Sequence, residues 1–347
     1  MPSSLNLSRW KLGLVILLLI SLVTAGAACG RQPVKKKTRV RPKAAKKIPA
    51  KPKLAVSALD GLEAKPELVK RQALAVMVEN LNTIRPQAGI SQASMVVEAL
   101  TEGGITRFML VFLEKDAGNV GPVRSARTHF VKLAKGLEAL YAHVGGSTFA
   151  MSAIRQFNVE DIDQFSFPSG FHRISTVRAP HNVFTGTAAL RNLKPKENTP
   201  PPAFDFKPDL AERKRPASQT ISINFSFPNY KVDWVYQPKT NSYLRFNGGK
   251  PHTDANTGKQ LEAKNILIMT CPTTPIAGTD LLDINVIGGG RLRVIRDGGV
   301  VEGSWSKPSV DAPLSLEDSQ GGTIKLDPGQ VWLEIVAPAT TVGVSGK

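Results

Sequence analysis

SMVVEALTEGGITRFMLVFLEKDAGNVGPVRSARTHFVKLAKGLEALYAHVGGS, residues Ser94 to Ser147, is the stretch from which the rest of the fold is read. Two apolar runs, Met95–Thr101 and Ile105–Leu113, flank Glu102-Gly103-Gly104. A Gly-Gly pair between strand-like runs signals a hairpin, because both central residues of a type I′ turn need positive φ. A two-residue turn at Gly103-Gly104 pairs Thr101 with Thr106 and Leu100 with Arg107. Side chains alternate along a strand, so Glu98, Glu102 and Arg107 are then expected on one face. Both faces are largely apolar, and the hairpin is expected to be covered on both sides.

Downstream, Gly121-Pro122-Val123-Arg124-Ser125-Ala126-Arg127 leads into a helical pattern over about Thr128–Leu140, with Phe130, Leu133, Ala134 and Leu137 at three- and four-residue spacing. Ser125 is available as a cap, which places Arg124 and Arg127 at the helix N-terminus. There the backbone N–H groups and the dipole favour an anion, and arginine offers planar, bidentate donors for carboxylate or phosphate. A short strand, Leu140–Val144, then ends in Gly145-Gly146-Ser147.

Working outward, Ala73–Val78 reads as a buried strand ending at Glu79-Asn80. A helix is expected over Thr148–Phe157, and the loop Arg178-Ala179-Pro180-His181-Asn182 leads to a short helix at Thr187–Asn192. Residues 56–193 therefore read as a mixed α/β domain, a sandwich of strands and helices. The Pro-, Lys- and Glu-rich stretch 194–218 reads as a linker. From 219 to 347, short alternating runs such as Ile221–Phe225, Val232–Tyr236 and Ile266–Met269, punctuated by Asn247-Gly248-Gly249 and Asp297-Gly298-Gly299, predict a small all-β domain.

The 347 residues carry a formal charge of +17, but it is local. Arg9, Lys11 and eleven Lys/Arg within residues 31–53 leave 32 basic against 28 acidic residues from Leu54 onward. Nucleic acid is not an expected partner of so nearly neutral a folded part. Arg9 and Lys11 precede the uncharged run Leu12–Ala28, an export signal over residues 1–28. Cys29 after Gly26-Ala27-Ala28 resembles a lipobox, which makes it the lipidated N-terminus and anchors the chain at the extracytoplasmic face of the cell membrane. Cleavage after Ala25-Gly26-Ala27, or a retained anchor, fits the same residues. Residues 29–55 are then a flexible basic linker, able to lie on anionic lipid or a phosphate-rich wall polymer, or simply to act as a tether.

ALAVMVEN (73–80), RPQAGISQASMVVEALTEGGITRF (85–108), VGPVRSAR (120–127), HVGGS (143–147), RAPHNVFT (178–185) and YLRFNGGKPHTD (243–254) occur in an order that resembles the YerB-like lipoproteins. The resemblance implies a bacterial lipoprotein with N- and C-terminal parts and brings no activity with it, since the family is a domain of unknown function. Glu79 stands where the resemblance leads one to expect Asp.

The residues point to two functions. In the first, the N-terminal domain binds an anionic envelope ligand or partner through Arg107, Arg124, Arg127, Ser125, Arg178 and Asn182. In the alternative, a cell-envelope transferase or hydrolase acts on a phosphorylated or glycan precursor, with Glu98, Glu102, His143 and His181 moving protons. Each of these acids and histidines has a bland reading beside the catalytic one, as a salt cluster or a hydrogen-bonded strut. No P-loop, nucleophile elbow or dinucleotide fingerprint occurs, no cofactor is called for, and no histidine has metal-ligand spacing. Cys271 is expected to be a buried, inert thiol.

Overall fold

The computed structural model describes residues 53–196 and 199–346, so the expected signal segment, Cys29 and the basic stretch up to residue 52 lie outside it. Among the described residues no helix is long and apolar enough to cross a membrane.

The main strands of the N-terminal part are β1 (Leu74–Glu79), β2 (Met95–Leu100), β3 (Thr106–Phe112), β4 (Leu140–His143), β5 (Asp161–Asp163), β6 (Phe171–Arg173) and β7 (Val183–Thr185). Its three main helices are α1 (Thr128–Gly136), α2 (Thr148–Gln156) and α3 (Thr187–Leu193). The C-terminal part is built of strands: β8 (Thr220–Asn224), β9 (Lys231–Gln237), β10 (Ser242–Asn247), β11 (Lys250–Pro251), β12 (Glu262–Ala263), β13 (Asn265–Thr270), β14 (Gly288–Arg296), β15 (Gly299–Lys307), β16 (Ser315–Asp318), β17 (Val331–Val336) and β18 (Thr341–Ser345). A mixed first part and a strand-rich second part are what the patterning implied.

The two parts share one sheet of ten strands, in the order β16-β15-β14-β13-β17-β2-β3-β1-β4-β5. The seam is the parallel pair β17·β2, with Leu333 opposite Val97 and Glu334 opposite Glu98. Both strands are apolar on both sides, as a sheet covered on two faces requires. One face carries Met77, Val97, Ala99 and Met109 and packs under α1 and α2, through Phe130, Val131 and Ile154. The other carries Val76, Val96, Phe108 and Trp332 and packs on a second sheet, in the order β11-β10-β9-β8-β18 with β12 also paired to β10, through Ile221, Trp234 and Tyr243. Residues 199–214 connect the parts with little regular structure, yet Phe204 and Phe206 pack on the core.

The hairpin departs from its expected register. Thr101 N–H donates to the Ile105 carbonyl at 2.7 Å, and a short 3-10 turn over Glu102–Gly104 fills the loop. Leu100 therefore pairs with Thr106, and Ala99 with Arg107. The shift of one residue moves side chains to the opposite face. Arg107 lies with Ala99 and Met109 on the helix side, while Glu98 lies with Phe108 toward the second sheet. Helix α1 also stops earlier than its periodicity suggested. Glu138 takes a left-handed conformation (φ 51°) and Ala139 N–H bonds back to the Ala134 carbonyl, a helix stop of the Schellman kind.

Candidate functional site

Strand β1 ends in Glu79, which stands opposite Arg107 of β3. The Gly121–Arg127 loop is stitched against this strand: Glu79 N–H donates to the Pro122 carbonyl and Arg124 N–H to the Met77 carbonyl. Gly121 is required there, since its φ is 154° and a Cβ would sit 2.8 Å from the Phe184 ring. The loop so placed delivers Arg124, Ser125 and Arg127 to the end of β1 and β3.

Two carboxylates organise the charges. Glu79 lies 2.8 Å from His181 Nδ1 and 3.3 Å from Arg124 Nε. Glu102 accepts from Arg127 Nε at 2.8 Å and from a second nitrogen of the same guanidinium, and it lies 3.2 Å from Arg107. Arg107 also donates to the Ser125 carbonyl at 2.9 Å. Burial alone would raise the Glu102 carboxyl, but the hydrogen bond from Arg127 and the charges of Arg107 and Arg127 outweigh it and hold it at about 2. Arg107 is itself pushed down to about 10, by burial and then by the charge of Arg127, and stays a cation at neutral pH.

Below the cluster lie buried side chains. His129 is buried with neither ring nitrogen partnered among the described residues, and burial, followed by the charges of Arg127 and Arg107, pushes it down to about 3. The Tyr141 hydroxyl is likewise buried and unpartnered, and burial pushes it up. Both are neutral at neutral pH. Such a floor screens the guanidinium–carboxylate pairs poorly, which strengthens them. Above the cluster, α1 and α2 begin side by side: the backbone bridges Ala126 to Gly146, and Phe165, 71% exposed, lies against Gly145.

The expected site residues thus divide. Arg107, Arg124, Arg127, Glu102 and His181 gather, and Ser125 joins through its carbonyl. Ser125 does not cap the helix: Arg127 occupies the N-cap of α1 without a side-chain cap, while Ser147 caps α2. Arg178 is exposed and offers its carbonyl to His181 N–H, and Asn182 bonds Arg173 and Ile174, so these two residues shape the loop that carries His181. His143 is a strut, fully buried, with one ring nitrogen 2.8 Å from the Gly145 carbonyl and the other 3.0 Å from Asp161. Cys271 is buried, and burial pushes its thiol up to about 12, as expected of an inert cysteine.

Glu98 does not meet Arg107. It is fully buried on the other face, accepting from Thr106 at 2.6 Å, from Asn80 at 3.2 Å and from Arg245 of β10. Arg245 lies among the Trp332, Trp234 and Phe108 rings and 3.7 Å from Glu334. Burial, and then the charge of Glu98, pushes the Glu334 carboxyl well up. Sequence reasoning missed Arg245, Glu334 and the bridging role of Glu79. Glu79 stands opposite Arg107 through the long-range pairing of β1 with β3, which no local pattern in the sequence announces.

Comparison with known proteins agrees with the motifs. A family model described as "Protein of unknown function (DUF3048) N-terminal domain" matches residues 59–200, and its C-terminal counterpart matches residues 221–333. The chain is 29% identical over 309 residues to "Putative lipoprotein YerB" of Bacillus subtilis (strain 168), covering 86% of this chain and 91% of that protein. The crystal structure of the Bacillus subtilis YerB protein superposes with a TM-score of 0.75 at 28% identity, covering 83% of this chain and 99% of that one.

Proposed function

We propose a function from the premise that this chain belongs to the DUF3048 family, both of whose domains it carries. It is a lipid-anchored protein of the extracytoplasmic face whose N-terminal part binds an anionic envelope ligand, bearing phosphate or carboxylate, at Arg124, Arg127 and Arg107. The apolar segment before Cys29 supports the anchor, as does the name lipoprotein given to the Bacillus subtilis relative.

The observation that carries the reading is the imbalance at the site: three guanidinium groups face two carboxylates. Arg124 is the loosely held one. It is partly exposed, it meets Glu79 at 3.3 Å without a good hydrogen bond, and its Nε has no hydrogen-bond partner among the described residues. A partly buried arginine so poorly paired gains from an incoming oxyanion. The test is a titration of isotope-labelled protein with phosphate and then pyrophosphate, following the arginine side-chain resonances. Arg124 and Arg127 are expected to shift saturably, and shifts spread evenly over surface arginines would defeat the reading.

A second reading, the envelope transferase or hydrolase, is supported by one contact. His181 Nδ1 faces the Glu79 carboxylate, and among the described residues no protein group meets its Nε2. A carboxylate orients an imidazole in this way for general-base work. Turnover of a phosphorylated wall precursor that is lost in His181→Gln, with ligand affinity kept, would favour it.

A further inference from the structure

We infer that a second cavity, walled by both parts of the chain, binds a small hydroxylated anion, either a sugar acid or a sugar phosphate. The cavity has a volume of about 300 Å³ and is lined by Asn82 and Arg85 from the N-terminal part and by Asn229, Asn247, Lys250 and His252 from the C-terminal part. That volume is at the small end of ligand pockets and suits one sugar ring. Apart from Asn82 and Asn229, its walls come from two of the stretches noted in the sequence, RPQAG and NGGKPHTD, which the arginine cluster does not use.

The charge of the cavity is one-sided, with Arg85 and Lys250 in its wall and no carboxylate among its lining residues. Arg85 differs from the arginines of the first site, for it has no carboxylate within ion-pair distance among the described residues. Its Nε donates to Asn80 Oδ1 at 2.9 Å, and its terminal nitrogens donate to the carbonyls of Asn229 at 2.8 Å and Asn80 at 3.3 Å. Tyr230 lies under the guanidinium at 5.1 Å. Three of five N–H groups are thereby used, which fixes the plane and leaves two donors. Lys250, exposed on β11, likewise has no ion-pair partner among the described residues. A half-buried cation fixed in one plane, with the charge of Glu98 acting on it only from beyond ion-pair distance, gains from an incoming anion.

The hydroxyl requirement comes from Asn247. This residue is 4% exposed, and neither its amide nitrogen nor its amide oxygen has a partner among the described residues. It is pinned at the end of β10, where Gly248 and Gly249 turn with φ of 61° and 75°. A Cβ on Gly248 would lie 3.2 Å from the Asn229 backbone, so the turn sits tight against the opposite wall. A hydroxyl both donates and accepts and suits an amide with both functions open. His252 adds no charge: burial, then the charges of Arg245 and Arg85, pushes it well below its usual value, and its ring is occupied by Gln87 at 2.8 Å and Arg245 at 3.1 Å.

Calorimetric titration at low salt tests this, done on the full chain carrying Arg124→Ala so that the arginine cluster takes no part, with glucuronate, glucose 6-phosphate, glucose and inorganic phosphate as probes. One or both acids are expected to bind about tenfold more tightly than glucose and than phosphate, and which acid does so identifies the anion. Lys250→Glu, at an exposed position, is expected to weaken that binding about tenfold with an unchanged melting temperature. Asn247→Ala in the same background is expected to erase the preference over inorganic phosphate. If Asn247→Ala fails to fold, Lys250→Glu carries the test alone. Absence of saturable binding by either acid, phosphate binding as tightly as the acids, or binding that survives Lys250→Glu unchanged would each overturn the inference.

Discussion

Glu79, Glu98 and Glu102 belong to three neighbouring segments, yet each carboxylate has a different task. Glu98 is structural, sealed against Arg245 with both side chains fully buried. Removing one partner of such a pair strands the other charge, so Glu98→Ala is expected to cost about 3–5 kcal/mol in chemical denaturation. Glu102 is a partly exposed clamp for Arg107 and Arg127, held at about 2 against a usual value near ~4.3. Because the folded value is the lower one, the ionised carboxylate stabilises the fold above ~4.3 and loses that effect as pH falls toward 2. Between pH 5 and pH 2 the unfolding midpoint of Glu102→Gln is therefore expected to fall less steeply than that of the wild type. Residue types alone announced this cluster, since arginines beside a Gly-Pro loop and a glutamate at a turn are chemically conspicuous. They did not separate Glu98 from Glu102, because that depends on which face each occupies.

The face is decided by the hairpin turn between β2 and β3. Gly-Gly was legible as a turn, but its length was not: Thr101 and Ile105 close the loop between themselves, and the register slips by one. Both glycines have positive φ, 66° at Gly103 and 70° at Gly104, but only Gly104 is crowded. A Cβ there would sit 2.7 Å from the Phe227 ring, whereas nothing lies within 4 Å of one at Gly103. Gly103→Ala is thus expected to cost roughly 1 kcal/mol from backbone strain alone, and Gly104→Ala clearly more, measured as the difference in urea midpoint. The helices were easier to read than the turn. Their periodicity placed α1, α2 and α3 to within a few residues, and α1 was overrun only because its stop uses Glu138 in a left-handed conformation, where glycine is the usual signal.

Across the whole molecule the least legible feature was the shared sheet. Strand β17 inserts between β13 and β2, more than 230 residues from the latter in sequence, and nothing in a local apolar run names so distant a neighbour. The consequence is mechanical. Residues 219–347 expressed alone would expose the β2-facing edge of β17 and the side of Trp332 that packs on Phe108, so the fragment is expected to be unfolded or aggregated, while the intact chain melts in one transition by calorimetry. A sheet that fixes both parts also holds the loop of Arg124 and the loop of His181 in place without help from a ligand, which is the property a binding site needs. The most direct measurement is calorimetric titration of pyrophosphate into the wild type and Arg124→Ala, with melting temperatures recorded for both. Binding that falls at least tenfold in the variant, with a melting temperature within a degree or two of the wild type, is the expected result. A marked drop in melting temperature with pyrophosphate affinity unchanged, or no binding by the wild type, would contradict the assignment of an anion site to this cluster.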